Sequence, residues 1–182
     1  ANDYRAATVF QKYKIDFCCK GGRSINEVCE SKNIDADKLL KELTEVSSQP
    51  GDQTIDFKSW PIDLLADYIE KKHHRYIEEA VPSLQQFLDK LCKVHGSNHH
   101  ELFAIKKEFN ASAGELATHM KKEELILFPY VRQMIKSAKS KDQLAKPGFG
   151  TVENPIAAMM YEHDTEGGRF RKIAELSNNY TP

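Results

Sequence analysis

The sequence lacks the patterns that mark several large classes of protein. It has no run of about 18 or more apolar residues, so it predicts no membrane-spanning helix. Lysine and arginine total 26 against 27 aspartates and glutamates, without the basic surplus typical of nucleic-acid binding. No apolar signal-peptide core follows the opening Ala-Asn-Asp-Tyr-Arg. We therefore expect a cytoplasmic protein that binds neither nucleic acid nor membrane.

Cysteine is sparse, and its spacing excludes the common zinc motifs. The four cysteines form no CxxC pair, so a zinc knuckle is not expected. An even count is compatible with two disulfides, but the lack of an export signal favours reduced thiols. The four are Cys18, Cys19, Cys29 and Cys92.

The hydrophobic pattern predicts an all-α protein. Hydrophobic residues make up 40% and charged residues 29% of the 182 residues, as in globular proteins. No segment of the C-terminal part alternates apolar and polar residues with period two, so no sheet is expected there. Pro, Gly and Ser interrupt the helical pattern over residues 47–60, which predicts a linker. It separates a small helical domain at 1–46 from a helical bundle at 61–182.

The N-terminal domain is predicted to contain three short helices. Ser24 and Glu27 form a capping box before the second helix, and Asp35 is placed to cap the third. A domain of this size buries little core. We therefore expect it to dock on the larger domain or on a second copy, which favours a homodimer.

The C-terminal part is predicted to form three long helices, near residues 61–94, 98–136 and 155–176. Three such helices make an up-down bundle that lacks one wall. Residues 178–182 are typical of a loop. The expected fold is therefore a four-helix bundle, truncated before its last helix.

The second long helix carries a histidine and a carboxylate on its apolar face. Glu123 lies about 40° around the helix from His119, and a buried carboxylate needs a partner such as a metal ion. Alternatively, Glu123 pairs with a lysine or lies at the helix edge, because Lys122 and Glu124 mark a charged outer face. The apolar face includes Leu116, Ile126, Leu127 and Tyr130.

The third long helix places His163 in the centre of an apolar stripe. A single histidine in such a stripe is more often a packed core residue than a ligand. One buried histidine on each of three helices favours a shared metal site. Gly167 leaves room beside the ring for a metal or for a packed neighbour. The stripe contains Ile156, Met159, Met160, Phe170 and Ala174.

The first long helix offers two adjacent histidines, of which only one can face a given site. Periodicity favours His73, because it lies centrally among the apolar residues of the helix. His74 lies nearer the edge of that face.

Several motifs in order resemble the repair-of-iron-centres family of di-iron proteins. The run IDFCCKGG at residues 15–22 resembles the double-cysteine signature of the family's small N-terminal domain. HMKKEE at 119–124, followed by LFP, resembles its second-helix ligand motif, and EHD at 162–164 its third-helix motif. Residues 67–82 resemble its first helix.

The resemblance implies a fold, a cofactor and a set of ligands. The fold is a small double-cysteine domain followed by a hemerythrin-like four-helix bundle. The cofactor is two non-haem iron ions, bridged by oxo and carboxylate groups. His74, His119 and His163 match terminal iron ligands, and Glu123 matches a bridging carboxylate. Following the resemblance rather than the periodicity, we take His74 over His73 as the first-helix ligand.

The sequence departs from the family pattern in two places. Lys20 stands where the family often has a glycine. The family's fourth helix supplies one more histidine and one more bridging glutamate, and neither is present. Two further carboxylates, Glu115 and Glu162, match family residues near the path to the metal.

Cys18 and Cys19 are expected to be exposed on a loop that ends in Gly21 and Gly22. Nearby positive charge, including Lys20, lowers a thiol pKa and favours thiolate. Three roles stay open for them: exchanging electrons, binding a metal or nitrosyl species, or contacting a client protein. In the alternative interpretation, one of them is a small buried apolar residue.

The resemblance implies repair of iron–sulfur clusters damaged by oxidative or nitrosative stress, by nitric oxide reduction or by iron donation. The expected partners are damaged iron–sulfur proteins, and the expected small ligands are nitric oxide and dioxygen. Whether the protein is an enzyme stays open. One alternative is a hemerythrin-like carrier or sensor that binds dioxygen or nitric oxide reversibly, and another is a helical interaction module without metal.

Overall fold

The computed structural model of the chain describes residues 5–15, 17, 21–48, 56–140 and 143–181. Every regular element in these ranges is helical, which confirms the predicted all-α class. The chain divides into two compact units, Ala1–Lys58 and Ser59–Pro182. None of the helices in the described part is long and apolar enough to cross a membrane.

The first unit contains the three short helices that the sequence predicts. They are α1 (Ala6–Lys12), α2 (Ile25–Lys32) and α3 (Ala36–Ser48). The capping box is confirmed, because the Glu27 amide donates to the Ser24 hydroxyl at 3.2 Å and the Ser24 amide donates to the Glu27 carboxylate at 2.7 Å. Asp35 caps α3 by accepting from the Lys38 amide at 3.1 Å.

The core of this unit forms around Leu39, which is fully buried. Burying one such side chain contributes roughly 1.5–3 kcal/mol. Leu40 is 44% exposed because it lies one position further around α3. The other buried residues of the cluster are Val9, Ile15, Val28 and Cys29.

The second unit consists of long helical rods. The first rod joins α4 (Ile62–Tyr68), a π-helical turn (Ile69–His74) and α5 (Arg75–His95). The second rod joins α6 (Glu101–Lys122), a π-helical turn (Glu123–Leu127) and α7 (Phe128–Ser140). The third rod is α8 (Glu153–Leu176).

Neighbouring rods run antiparallel, as an up-down arrangement requires. The beginning of the first rod meets the end of the second, where Arg132 donates to Asp67 at 2.6 Å. Its end meets the beginning of the second, where Lys106 pairs with Asp89 at 2.7 Å. Helices α6 and α8 also pack closely. The second rod therefore lies between the other two.

The first and third rods each leave an apolar stripe exposed. Such side chains are 40–61% exposed on α5 and 40–68% exposed on α8. Both stripes have the three- and four-residue spacing of one helix face. We call them the open stripes; they are Leu84, Phe87, Leu91 and Val94 on α5, and Ile156, Met160 and Phe170 on α8.

Candidate metal centre

His74 is held between two consecutive carboxylates of the facing rod. It closes the first π-turn and is only 3% exposed. Its Nε2 lies 3.0 Å from Oε2 of Glu123, and its Nδ1 lies 3.0 Å from Oε1 of Glu124. Phe128 stacks on the ring at 5.9 Å between centroids. The imidazole is therefore fixed in orientation on both edges and on one face.

Glu123 reaches two different imidazoles with its two oxygens. It opens the second π-turn, directly after α6. Oε2 faces His74, while Oε1 lies 3.5 Å from Nε2 of His119. A carboxylate that presents its oxygens to ligands from two rods has the arrangement required to bridge two cations.

His119 and His163 bring their ring nitrogens together between α6 and α8. The two Nε2 atoms lie 2.9 Å apart, and the ring centroids lie 4.6 Å apart. On its other edge, His119 Nδ1 lies 2.8 Å from Oε2 of Glu162. His119 is buried, whereas His163 is exposed.

These side chains form one cluster. One ligand atom each from His119, Glu123 and His163 lies within 4.8 Å of the others, so these three side chains could hold a metal ion. His74 joins the same cluster through Glu123. All four predicted ligands are thus brought together, and their binding of iron stays a prediction.

The donor chemistry fits a cation. An ionised carboxylate only accepts hydrogen bonds, so a proton on Nδ1 of His74 is donated to Glu124, and a proton on Nδ1 of His119 is donated to Glu162. In the neutral imidazole that carries its proton on Nδ1, the other nitrogen, Nε2, has a lone pair. In that tautomer the lone pair of His74 faces an oxygen of Glu123, which is also an acceptor. Either a proton or a metal ion satisfies such facing acceptors, and imidazole with carboxylate is a donor set that suits iron.

The surrounding charges favour a cation at this position. Hydrogen bonds and negative charge from Glu123 and then Glu162 raise the pKa of His119, against the effect of burial. Burial alone raises the pKa of Glu123, but His119 and His74 outweigh it, so the pKa lies below its ordinary value. Burial lowers the pKa of His163, and the charge of neighbouring His119 lowers it further.

The choice between the two adjacent histidines by periodicity alone is wrong. His73 is exposed, and its ring meets Tyr68 edge-on at 5.3 Å rather than entering the cluster. A π-turn adds a residue to the helical repeat, and it rotates the following residues relative to a regular α-helix. The first π-turn therefore brings His74 to the face on which a constant period places His73.

The same effect changes the expected face of the second rod. Ile126, which the constant period places beside His119, is 50% exposed, and Leu125 is 72% exposed. Both lie within the second π-turn. The anchor of this segment is instead Phe128, which is 5% exposed.

The expected burial of His163 is also wrong. Its stripe exists, since Ile156, Met160 and Phe170 repeat with His163 at helical spacing, but these side chains are 46%, 68% and 40% exposed. Among the described helices, α8 packs closely only on α6. The stripe thus lies on a side of α8 that no described helix covers, and Met159 is the buried member of the predicted set.

Two further carboxylates border a cavity next to the cluster. Glu115 and Glu162, which match family residues near the metal path, line a cavity of about 300 Å³ together with His119 and His163. Glu115 is exposed, and Glu162 pairs with Lys122 as well as with His119. The cavity gives a small molecule access to the exposed edge of the cluster.

Sequence reasoning missed the role of Glu124. It was interpreted as part of a charged outer face, but its side chain is 10% exposed and contacts His74. The signal was the adjacent pair Glu123-Glu124, which can bracket one imidazole if the helix is locally π-helical. Buried Glu166, which accepts from Ser112 between α6 and α8, was also missed.

The double-cysteine site cannot be compared with its prediction, because Cys18 and Cys19 lie outside the described residues. Cys29 and Cys92 are buried free thiols.

Comparison with known proteins identifies the family. The model of the hemerythrin HHE cation binding domain matches residues 65–181, and the model of the ScdA_N domain, a domain of unknown function (DUF542), matches residues 1–47. The chain belongs to the hemerythrin HHE cation-binding family, and its hemerythrin domain follows an ScdA_N domain in the sequence.

The similar curated proteins are more specific. The chain is 31% identical over 179 residues to the iron-sulfur cluster repair protein YtfE of Escherichia coli O1:K1, covering 98% of this chain and 74% of that protein. The YtfE proteins of E. coli strain SMS-3-5 and of Escherichia fergusonii give the same values. These relatives confirm the resemblance to the repair-of-iron-centres family.

Proposed function

We propose that this chain is a non-haem di-iron protein that helps to repair iron–sulfur clusters damaged by oxidative or nitrosative stress. The observation that carries the proposal is the convergence of His74, His119, Glu123 and His163, with two of the histidines tied at Nδ1 to outer carboxylates. The repair role is supported by the printed name of the YtfE relatives.

Each residue has a distinct task in this proposal. His74, His119 and His163 would hold the iron ions through their imidazole nitrogens. Glu123, whose two oxygens face His74 and His119, would supply carboxylate oxygens to the same site. Bound iron supplies redox chemistry and open coordination positions for a small ligand such as nitric oxide or dioxygen. The neighbouring cavity admits such a ligand at the edge of the cluster where His163 is exposed.

We further propose that a fourth helix completes the bundle and covers the open stripes. Apolar side chains that are 40–68% exposed at helical spacing on two rods are typical of faces that receive another helix. His163 lies on one of these stripes. A helix seated there therefore reaches the metal centre and can add the two further ligands that the family pattern contains.

Cys18 and Cys19 are proposed to take part in repair rather than in metal-site assembly. The match of an ScdA_N domain over residues 1–47 supports a dedicated role for the segment that contains them. Replacing both by serine is expected to lower repair while the iron content of the protein stays unchanged. Equal repair by the double variant would remove the cysteines from the mechanism.

A repair assay tests the proposed function. A purified iron–sulfur dehydratase is inactivated with nitric oxide and incubated with the iron-loaded protein. We expect its activity to recover with the wild type and not with His119→Ala. His99→Ala is the matched control, because His99 is an exposed histidine that pairs with Glu101 outside the cluster. Recovery that is equal with His119→Ala would contradict the proposal.

Measuring catalytic turnover distinguishes a carrier or sensor from an enzyme. The exposed edge of the cluster and its cavity also suit reversible binding of nitric oxide or dioxygen. Sustained consumption of nitric oxide with an external reductant supports an enzyme. A reversible change in the optical spectrum without consumption supports a carrier or sensor.

A further inference from the structure

Glu124 contacts a candidate ligand without belonging to the ligand set. Its Oε1 lies 3.0 Å from Nδ1 of His74, on the ring edge opposite to Glu123. Consecutive residues of a regular α-helix diverge by about 100°. In the second π-turn, Glu123 and Glu124 instead contact the two nitrogens of one imidazole.

Glu124 is itself held from both sides. Arg75 donates to its Oε1 at 2.5 Å, and Lys121 donates to its Oε2 at 2.7 Å. Arg75 and Lys121 come from the two rods that carry His74 and Glu123, respectively. The carboxylate is therefore anchored to both rods, and its side chain is 10% exposed. Its position leaves His74 little freedom to turn.

We propose that Glu124 is a positioning residue that fixes His74 as the Nδ1–H tautomer and so directs the Nε2 lone pair towards the metal centre. The effect on metal binding rests on the proposed di-iron function, whereas the assignment of the tautomer does not. Without an acceptor at Nδ1, His74 is free to carry its proton on Nε2 and to donate it to Glu123. That tautomer has no lone pair to offer a metal at Nε2.

Glu162 makes the corresponding contact with His119. Its Oε2 lies 2.8 Å from Nδ1 of His119, and Lys122 binds its other oxygen. The pattern of imidazole, outer carboxylate and flanking cation thus occurs twice around the cluster. A carboxylate behind a histidine ligand typically changes metal affinity by about 10–100-fold when it is removed. Glu162 therefore provides an internal comparison for Glu124.

The tautomer is measured on metal-free protein by long-range ¹H–¹⁵N spectroscopy of the histidine rings. In the wild type we expect the proton of neutral His74 on Nδ1. In Glu124→Leu we expect it on Nε2, with the His119 signals unchanged. In Glu162→Leu the His119 signals change and those of His74 do not. Glu175→Gln, which removes an exposed charge on α8, leaves both rings as in the wild type.

Ferrous iron titration of the same variants measures the consequence. Glu124→Leu is expected to bind iron about 10–100-fold more weakly. Glu124→Gln, whose amide oxygen can still accept from Nδ1, is expected to have an iron affinity between those of Glu124→Leu and the wild type. It replaces Glu124→Leu in the test if the leucine variant does not fold. An unchanged His74 tautomer in a folded Glu124 variant overturns the proposal. If the tautomer changes but the wild type binds no iron, the positioning role stands and the di-iron function fails.

Discussion

At the scale of single residues, the central feature is that each candidate histidine ligand on the first two rods has a partner for its other ring nitrogen. Glu124 holds His74, and Glu162 holds His119. Such partners fix the direction of a lone pair before any ion arrives, so that little reorganisation accompanies binding. Because His74 and His119 are buried, few water molecules can reach their rings as alternative hydrogen-bond partners.

Replacement of adjacent histidines tests which of them serves the site. His74→Ala removes one ligand and is expected to weaken iron binding by at least about 10-fold. His73→Ala is the matched control and is expected to bind iron as the wild type does, because His73 is exposed and contacts Tyr68. Iron titration followed by metal analysis gives both values. An equal loss in the two variants would refute the assignment.

At the scale of helices, the two π-turns determine which residues meet at the centre. Each lies at the point where a rod supplies a candidate ligand: the first ends with His74 and the second begins with Glu123. π-Helical turns inside α-helices are frequently found at functional sites. Here they allow one rod to present both a candidate metal ligand and a packed anchor such as Phe128.

Deleting one residue tests the second π-turn. Removal of Leu125, which is 72% exposed, restores a regular helical repeat and rotates α7 relative to Glu123 by about 100°. Glu123 and Phe128 then cannot both reach their partners. We expect weaker iron binding and a free energy of unfolding lower by about 2 kcal/mol, from lost burial of Phe128. Leu125→Ala is the control, and it is expected to change neither iron binding nor the free energy of unfolding measured in urea. Equal losses in the deletion and in the substitution would contradict the role of the π-turn.

The contact between α6 and α8 includes a charge cluster with a defined pH dependence. A hydrogen bond from Lys172 at 2.5 Å, followed by the charges of Lys172 and Arg169, holds the pKa of Glu108 below its ordinary value of 4.5. A lowered pKa in the folded state stabilises the fold above the ordinary value, and this stability is lost as the pH falls through the folded-state pKa.

Glu108→Gln is therefore expected to be less stable than the wild type at pH 7, with the difference shrinking below pH 4.5. Thermal unfolding of metal-free protein at several pH values measures this. Glu175→Gln, on an exposed part of α8, is the control and is expected to show no such trend. A pH-independent difference for Glu108→Gln would argue against the charge cluster.

Many features of the individual helices could be predicted from the sequence. The capping box at Ser24, the cap at Asp35 and the long helices follow from local rules, because they depend on residues a few positions apart. The face of His74 and the role of Glu124 could not, since a constant helical period carries no sign of a π-turn. The family motif selects the histidine that lies in the cluster, because the motif reflects the folded site and not the period.

At the scale of the whole molecule, the open stripes are the feature that the sequence left unexplained. The sequence predicts that His163 lies in an apolar stripe, but a helical pattern alone does not tell which neighbour covers that stripe. In the described structure, α6 covers the opposite side of α8. The stripes on α5 and α8 are the faces that the proposed fourth helix would cover.

Where no further helix covers them, the open stripes are expected to bind an apolar fluorescent dye or to associate. Replacing Phe87 and Met160, which are 61% and 68% exposed, by lysine is expected to reduce dye binding without lowering the free energy of unfolding. Leu125→Lys is the control, because Leu125 lies in a groove away from the open stripes. It is expected to leave dye binding at the stripes unchanged. Unchanged dye binding in the Phe87 and Met160 variant would show that the stripes are covered in solution.

The most direct test of the central claim is an anaerobic titration of metal-free protein with ferrous iron, monitored by metal analysis after gel filtration. Two proteins are compared with the wild type: His163→Ala, from the cluster, and His99→Ala, from the exposed turn before α6. We predict that the wild type and His99→Ala retain iron and that His163→Ala loses most of it. Retention of the same amount of iron by all three proteins, or by none, would contradict an iron centre at His74, His119, Glu123 and His163.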